Sequence, residues 1–181
     1  MNRLQSRYQK EIKSEMKSEL NLANIHQVPA ISKIVVNAGV GRATQDSKHL
    51  DTAVTTLSRV TGQKPIVTKA THSIAAYKLR EGNSIGAKVT LRGERMWDFL
   101  DRLIAVVIPR MRDFRGLPLK SFDPQGNYSI GLNDQTVFPE INFEDANATH
   151  GLQLTIVTST KNKDHAQVLL RKLGLPLEKG K

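Results

Sequence analysis

The side chains with the greatest chemical reach lie close together in one stretch, residues 68–92, TKATHSIAAYKLREGNSIGAKVTLR. Its first half sets Lys69, His72, Lys78 and Arg80 around a single tyrosine, Tyr77, with Ser73 between them. Its second half alternates, with Ile85, Ala87, Val89 and Leu91 apolar and Gly86, Lys88, Thr90 and Arg92 small or polar. Strand side chains point to opposite faces with period two, so this pattern predicts one face for a core and one for a polyanion. Cations and hydroxyls so arranged suit contacts to phosphate and ribose.

Bond-making chemistry finds little support. GVGRAT at 39–44 follows a β-branched run and precedes a helical pattern, which leaves two readings open. One is a dinucleotide loop, although Thr44 stands where the third glycine belongs. The other, preferred, is a tight turn whose glycines let the backbone approach RNA or a neighbouring loop. His26, His49, His72, His150 and His165 are dispersed without paired ligand spacing, and His72 suits stacking on RNA better than a metal. No G-x-S-x-G, P-loop or H-E-x-x-H occurs, and Glu81 and Asp101 sit beside basic residues as ion-pair partners do. Without cysteine, disulfides, thiolate nucleophiles and Cys-based zinc sites are excluded. The chain reads as no enzyme, with no catalytic residue, no metal and no cofactor.

The 27 Lys and Arg against 17 Asp and Glu give a net charge of +10. That balance favours a nucleic-acid partner, the alternative being plain solubilising charge. A length of 181 residues with 39% hydrophobic content fits one domain with a real core. No segment approaches the ~20 apolar residues of a membrane span, and the N-terminus lacks an apolar signal core, so a cytoplasmic protein with no membrane partner is expected.

The elements that must hold the 68–92 stretch follow from periodicity. Leu4, Tyr8, Ile12 and Met16 predict an amphipathic helix over 3–19 with a basic flank. ISKIVVNAGVGRAT, a β-branched run ending in glycines, predicts a strand with Ile34, Val36 and Ala38 on one face and Lys33, Val35 and Asn37 on the other. Leu50, Ala53, Val54, Leu57 and Val60 predict a helix over 47–61, with Asp46 or Ser47 as N-cap and Gly62 as C-cap, followed by a short strand at 66–69. Trp97, Leu100, Ile104 and Val107 predict a helix that Pro109 terminates, followed by a basic loop with Arg110, Arg112, Arg115 and Lys120 around Phe114.

Between Ser121 and Thr160 there is neither lysine nor arginine, while Asp123, Asp134, Glu140, Glu144 and Asp145 are acidic. Such segregation argues for two surfaces with two partners, or else for a solvated acidic region. This part reads as irregular until Leu152, Leu154 and Ile156 mark a last strand, after which Thr160 or Asn162 caps a helix stopped by Gly174. The tail PLEKGK reads as frayed.

Together these elements give an α+β single domain, a mostly antiparallel sheet with helices packed on one face and the other face open for RNA. Lys33 and Asn37 on one strand and Lys88, Thr90 and Arg92 on another would form a polar plane that Gln63 and Lys64 enter from a turn. For Asn37, Gln63 and Thr90, turn or strand-edge bonding is the alternative.

Several motifs in series carry a family resemblance: KIVVNAGVG at 33–41, TGQKPIVTKA at 61–70, SIAAYKLREG at 73–82, IGAKVTLRGERMWDFLDRL at 85–103, IPRMRDFRG at 108–116, FDPQGNYSIGLNDQTVFPEI at 122–141 and the terminal LGLP. Collinear over essentially the whole chain, they resemble the bacterial large-subunit ribosomal protein five, the family that binds 5S rRNA. The departures are Thr71 and His72, where the family usually has two lysines, and Pro124, where it commonly has glycine.

The resemblance implies one 5S rRNA-binding domain over 1–181 in the ribosome's central protuberance. Lys33, Asn37, Gln63, Lys64, Lys88, Thr90 and Arg92 would meet 5S rRNA. A loop at 69–83, with Lys69, His72, Ser73, Tyr77, Lys78 and Arg80, would approach P-site tRNA. A region at 109–146, with Arg110, Arg112, Arg115, Asp134, Glu140, Glu144 and Asp145, would bridge to a small-subunit head ribosomal protein that is basic in the family. It further implies 23S rRNA and neighbouring 5S-binding ribosomal proteins as partners. A free regulatory RNA-binding protein is the other non-enzymatic possibility.

Overall fold

A segment bounded by turn residues makes a strand when alternate side chains have a core to enter, and five segments among the described residues meet that condition. They are β1 (Ile31–Gly39), β2 (Ile66–Lys69), β3 (Ser84–Leu91), β4 (Tyr128–Leu132) and β5 (Leu152–Thr158). The structure, a computed structural model, describes residues 2–44, 46–111, 114–141 and 150–178, without the side chains of Arg42 and Thr44. The strands form one sheet in the order β2-β3-β1-β5-β4. Contacts at the strand ends fix its sense. β2 pairs antiparallel with β3, Val40 N–H reaches Ile85 O just past the end of β1, and Ser159 N–H reaches Ala30 O beyond the other end. Gly151 lies against Leu132 O where β5 begins and β4 ends. Helices on an antiparallel sheet make this the α+β class expected.

Two compact units divide the chain. The first comprises Met1–Ile34, Leu91–Ile130 and Thr155–Lys181, and the second Val35–Thr90 and Gly131–Leu154.

In the first unit, a helix over 3–19 buries Leu4, Tyr8, Ile12 and Met16. A strict four-residue repeat drifts around an ideal helix of 3.6 residues per turn. A wider π turn at Tyr8–Ile12, closed by Lys13 N–H to Tyr8 O, slows that drift and keeps the stripe on one side. The helix packs on a second one over 93–110, where the Tyr8 and Trp97 rings lie 5.4 Å apart and Arg3 pairs with Asp101 at 2.9 Å. Pro109 does not end this second helix, which runs on to Arg110. A π turn at Leu103–Val107, with Ile108 N–H bonded to Leu103 O, widens the backbone ahead of the proline and relieves its clash with the preceding turn. The C-terminal helix, Lys163–Leu173, is capped by Asn162 and stopped by Gly174 in left-handed conformation. Its Lys172 holds Glu15 at 2.9 Å and Glu19 at 3.0 Å on the first helix.

Two expectations for this part of the chain need correction. The region after Pro109 is not irregular throughout, because β4 buries Tyr128, Ile130 and Leu132 in strict alternation. Nor is the whole tail frayed, since Leu117 N–H reaches Pro176 O at 2.9 Å and Glu178 N–H reaches Leu117 O at 3.0 Å.

The second unit buries Val36, Ala38, Ala87 and Val89 of the sheet together with Ala53, Leu57 and Val60 of the helix Lys48–Thr61. Asp46 Oδ1 accepts from Lys48 N–H at 2.9 Å, and Gly62 closes the helix in left-handed conformation. GVGRAT forms no dinucleotide loop. It ends β1 and enters a separate 3-10 turn, Gly41–Thr44, several residues before the helix starts. A Cβ built on Gly39 or on Gly41 would meet no atom of the described residues within 4 Å, so the two glycines are not required there by close packing among those residues.

Candidate nucleic-acid interface

Alternation along β2 and β3 leaves one side of the second unit uncovered. On β3, Ala87 and Val89 are buried while Lys88 is exposed and Thr90 half-buried. Register then fixes what stands beside them, because directly paired residues of an antiparallel pair share a face. Ile66 pairs with Lys88 and Thr68 with Gly86, while Val67 pairs with the buried Ala87 and so belongs to the opposite face. On β1, Asn37 is half-buried between the fully buried Val36 and Ala38.

The turn leaving the helix brings two more polar groups to this surface. With Gly62 in left-handed conformation the chain reverses sharply, and Gln63 donates from Nε2 to Thr90 O at 3.4 Å. Gln63 therefore makes the strand-edge bond that was its alternative reading, leaving its carbonyl oxygen outside that contact. Lys64 is exposed next to it, and neither Lys64 nor Lys88 makes an ion pair among the described residues. Two uncompensated cations and an amide on an open sheet form an electrostatic footprint for phosphate.

Gly86, buried next to this surface, lets β1 and β3 pack closely. A Cβ at that position would stand 2.6 Å from Ala38 O and 3.0 Å from Thr68 Oγ1, too close for either to remain in place.

Beyond β2 and β3 the 69–83 segment continues the same ribbon as a built hairpin. Ala70 N–H reaches Asn83 O at 2.8 Å and Gly82 N–H returns to Ala70 O at 2.9 Å. Farther out, Ile74 and Leu79 exchange two backbone bonds of 2.9 and 3.1 Å around a 3-10 turn, Ala75–Tyr77, and Lys78 takes a left-handed conformation. Ser73 belongs to this scaffold, its Oγ accepting Glu81 N–H at 2.9 Å. Tyr77 is 75% exposed and Ile74 44%, so the tip is apolar, with exposed Lys69, His72, Lys78 and Arg80 around it.

The remaining candidates fall elsewhere. Lys33, half-buried, and Arg92, exposed, belong to the first unit, as do Arg110 and Arg115, both exposed. Asp134 and Glu140, half-buried, belong to the second, where Asp134 caps the turn Gln135–Val137 by accepting Thr136 N–H at 2.8 Å. Asp134 thus has a structural task that the charge count did not reveal. Arg112, Glu144 and Asp145 lie outside the described residues.

Sequence reasoning passed over Ile66. Its signal was present: the two-residue period of IVTK separates Ile66 and Thr68 from Val67, but only the register with β3 tells which pair faces outward.

Known proteins are similar along nearly the whole chain. Residues 24–80 match the family described as Ribosomal protein L5, and residues 84–177 match the model of that ribosomal family's C-terminus. A protein of Mycoplasma pneumoniae named Large ribosomal subunit protein uL5 is 53% identical over 180 residues, covering 99% of this chain and 100% of that one. A protein of the same name from Anaeromyxobacter sp. is 51% identical over 174 residues, covering 96% and 97%. Neither name is that of an enzyme. With both halves matched in order and relatives aligned end to end, the chain belongs to the ribosomal protein L5 family.

Proposed function

We propose that the chain is a structural, RNA-binding constituent of the large subunit of the cytoplasmic ribosome, and that the uncovered sheet surface of its second unit binds 5S rRNA. The observation that carries this reading is the grouping of Gln63, Lys64, Lys88 and Thr90 on one open surface, with no acidic partner for either lysine among the described residues. Asn37 serves the same RNA from β1, and Lys33 and Arg92 do so from the first unit. Backbone and 2′-hydroxyl contacts of this type read RNA shape more than base sequence.

The 69–83 hairpin approaches P-site tRNA through Tyr77, Lys78 and Arg80, with Lys69 and His72 supporting the charge and Ser73 the shape. The 109–146 region meets a basic small-subunit head protein, using Arg110, Arg115, Asp134 and Glu140, and 23S rRNA and neighbouring 5S-binding proteins complete the surroundings. Titration against 5S rRNA and an unrelated RNA of equal length, at several salt concentrations, tests the central assignment. Tighter binding to 5S rRNA at every salt, weakening as counterions are released, is expected; equal affinity for both RNAs would overturn it.

A further inference from the structure

A large aliphatic side chain left in water is informative when its neighbours are charged. Ile66 is 67% exposed, the most exposed of the large aliphatic side chains among the described residues. It pairs directly with Lys88 and follows Lys64 by two residues, so it stands between two cations that have no acidic partner among the described residues. An edge strand gains nothing in solubility from such a residue, and lysine or threonine would guard the edge better. A partner protein built to bury Ile66 would have to neutralise or desolvate both lysines. A nucleotide matches the arrangement as it stands, with phosphates for the lysines and a ribose or base face for the isoleucine. Apolar side chains are used in this way against unstacked nucleotides.

We infer that Ile66 is a specificity-determining contact for RNA, seating a ribose or an unstacked base between the phosphates bound by Lys64 and Lys88. The inference rests on the 5S rRNA reading and adds to it a contact that does not depend on charge. Polyelectrolyte binding by lysine favours any RNA, whereas an apolar seat rewards only one whose backbone presents a nucleoside at that spot.

The test compares 5S rRNA binding, across a salt series, for the full-length protein and for Ile66→Thr, Ile66→Leu, Lys64→Ala and Lys88→Ala. Ile66→Thr keeps the β-branch and removes the apolar surface; Ile66→Leu does the reverse. Ile66→Thr is expected to weaken binding about tenfold with an unchanged salt slope, equivalent to about 1.4 kcal/mol, while Ile66→Leu stays within about twofold of the native chain. Each lysine variant is expected to lower the slope by about 0.7–0.9. If Ile66→Leu weakens binding and Ile66→Thr does not, strand propensity explains the residue and the inference falls. If both Ile66 variants bind 5S rRNA normally but enter the large subunit poorly, the seat belongs to a protein and the inference also falls. If the lysine variants leave binding and slope unchanged, the 5S rRNA reading itself fails.

Discussion

Replacing Gly86 by alanine tests the geometry of the surface proposed to bind 5S rRNA, because the sign of the effect is opposite to that expected of an ordinary strand glycine. Gly86 is not in the left-handed region, so an added methyl strains no backbone dihedral. In open space, the exchange would restrict the unfolded chain and stabilise by about 0.4–1 kcal/mol. At Gly86 the methyl carbon meets Ala38 O at 2.6 Å and Thr68 Oγ1 at 3.0 Å. The Thr68 hydroxyl can rotate away, but the Ala38 carbonyl is main chain near the end of β1 and can yield only if the strand moves. Overpacking of this sort costs about 1–3 kcal/mol. Net destabilisation of about 1–2 kcal/mol is therefore expected, and at this chain length each kcal/mol lowers Tm by about 2–4 °C.

Gly131→Ala is the internal control, because that strand glycine has open space around it and no left-handed conformation. Thermal unfolding of both variants, paired with 5S rRNA titration, reads stability and surface together. Gly86→Ala should melt below the native protein and lose RNA affinity as β1 and β3 shift beneath Asn37 and Lys88, whereas Gly131→Ala should melt at or slightly above it. A Gly86→Ala protein that melts as high as Gly131→Ala would refute the crowding argument and with it the claim that β1 and β3 need a glycine where they meet.

Three further outcomes are expected. Burial pushes the Tyr128 phenol up to about 12, with the Glu178 charge adding to the rise and a hydrogen bond to Ser121 opposing it; a raised value means its stabilisation is complete below pH 10 and is lost as pH climbs through 12, about 3 kcal/mol in all, so alkaline unfolding of Tyr128→Phe should show a correspondingly flatter pH dependence. Asn162→Ala removes the side chain that accepts Asp164 N–H at 2.9 Å and should lower stability by about 1 kcal/mol in urea unfolding, whereas Asn162→Asp should be near neutral. Lys78→Ala with Arg80→Ala should leave 5S rRNA affinity within about twofold, these side chains lying at the hairpin tip, yet weaken tRNA placement on ribosomes; loss of 5S rRNA binding instead would show that the hairpin serves the wrong RNA in the scheme above.

Much of the fold was legible because the strongest periodic signals coincide with burial. Leu4, Tyr8, Ile12 and Met16 mark a helix whose limits the structure reproduces, and Ile34, Val36 and Ala38 mark the covered face of β1. Where reading failed, a local rule was overridden by something the rule does not contain. Proline normally stops a helix, but a π turn just upstream changes the backbone that Pro109 meets. The alternation Tyr128, Ile130, Leu132 is as regular as any in the chain, yet it lies within the acidic stretch free of lysine and arginine that reads as irregular. The tail is held by Leu117, nearly sixty residues earlier, a contact that no local pattern encodes.

For the candidate site the missing quantity was register. Types and spacing placed Lys88 and Thr90 on one face, because alternation within one strand needs only that strand. Gln63, Lys64 and Ile66 join them through the turn at Gly62 and through the pairing of Ile66 with Lys88, which depends on how two segments more than twenty residues apart align. A slip of one residue would put Val67 on the open face and Ile66 toward the core, moving the apolar seat away from its cations. That register is interrupted between Thr68 and Lys69, where the ribbon passes from the platform into the 69–83 hairpin. The irregularity therefore lies at the junction between the surface assigned to 5S rRNA and the arm assigned to tRNA. The bond from Ala70 to Asn83 at 2.8 Å resumes the pairing immediately beyond it, so the hairpin takes its direction from the same two strands that set the platform.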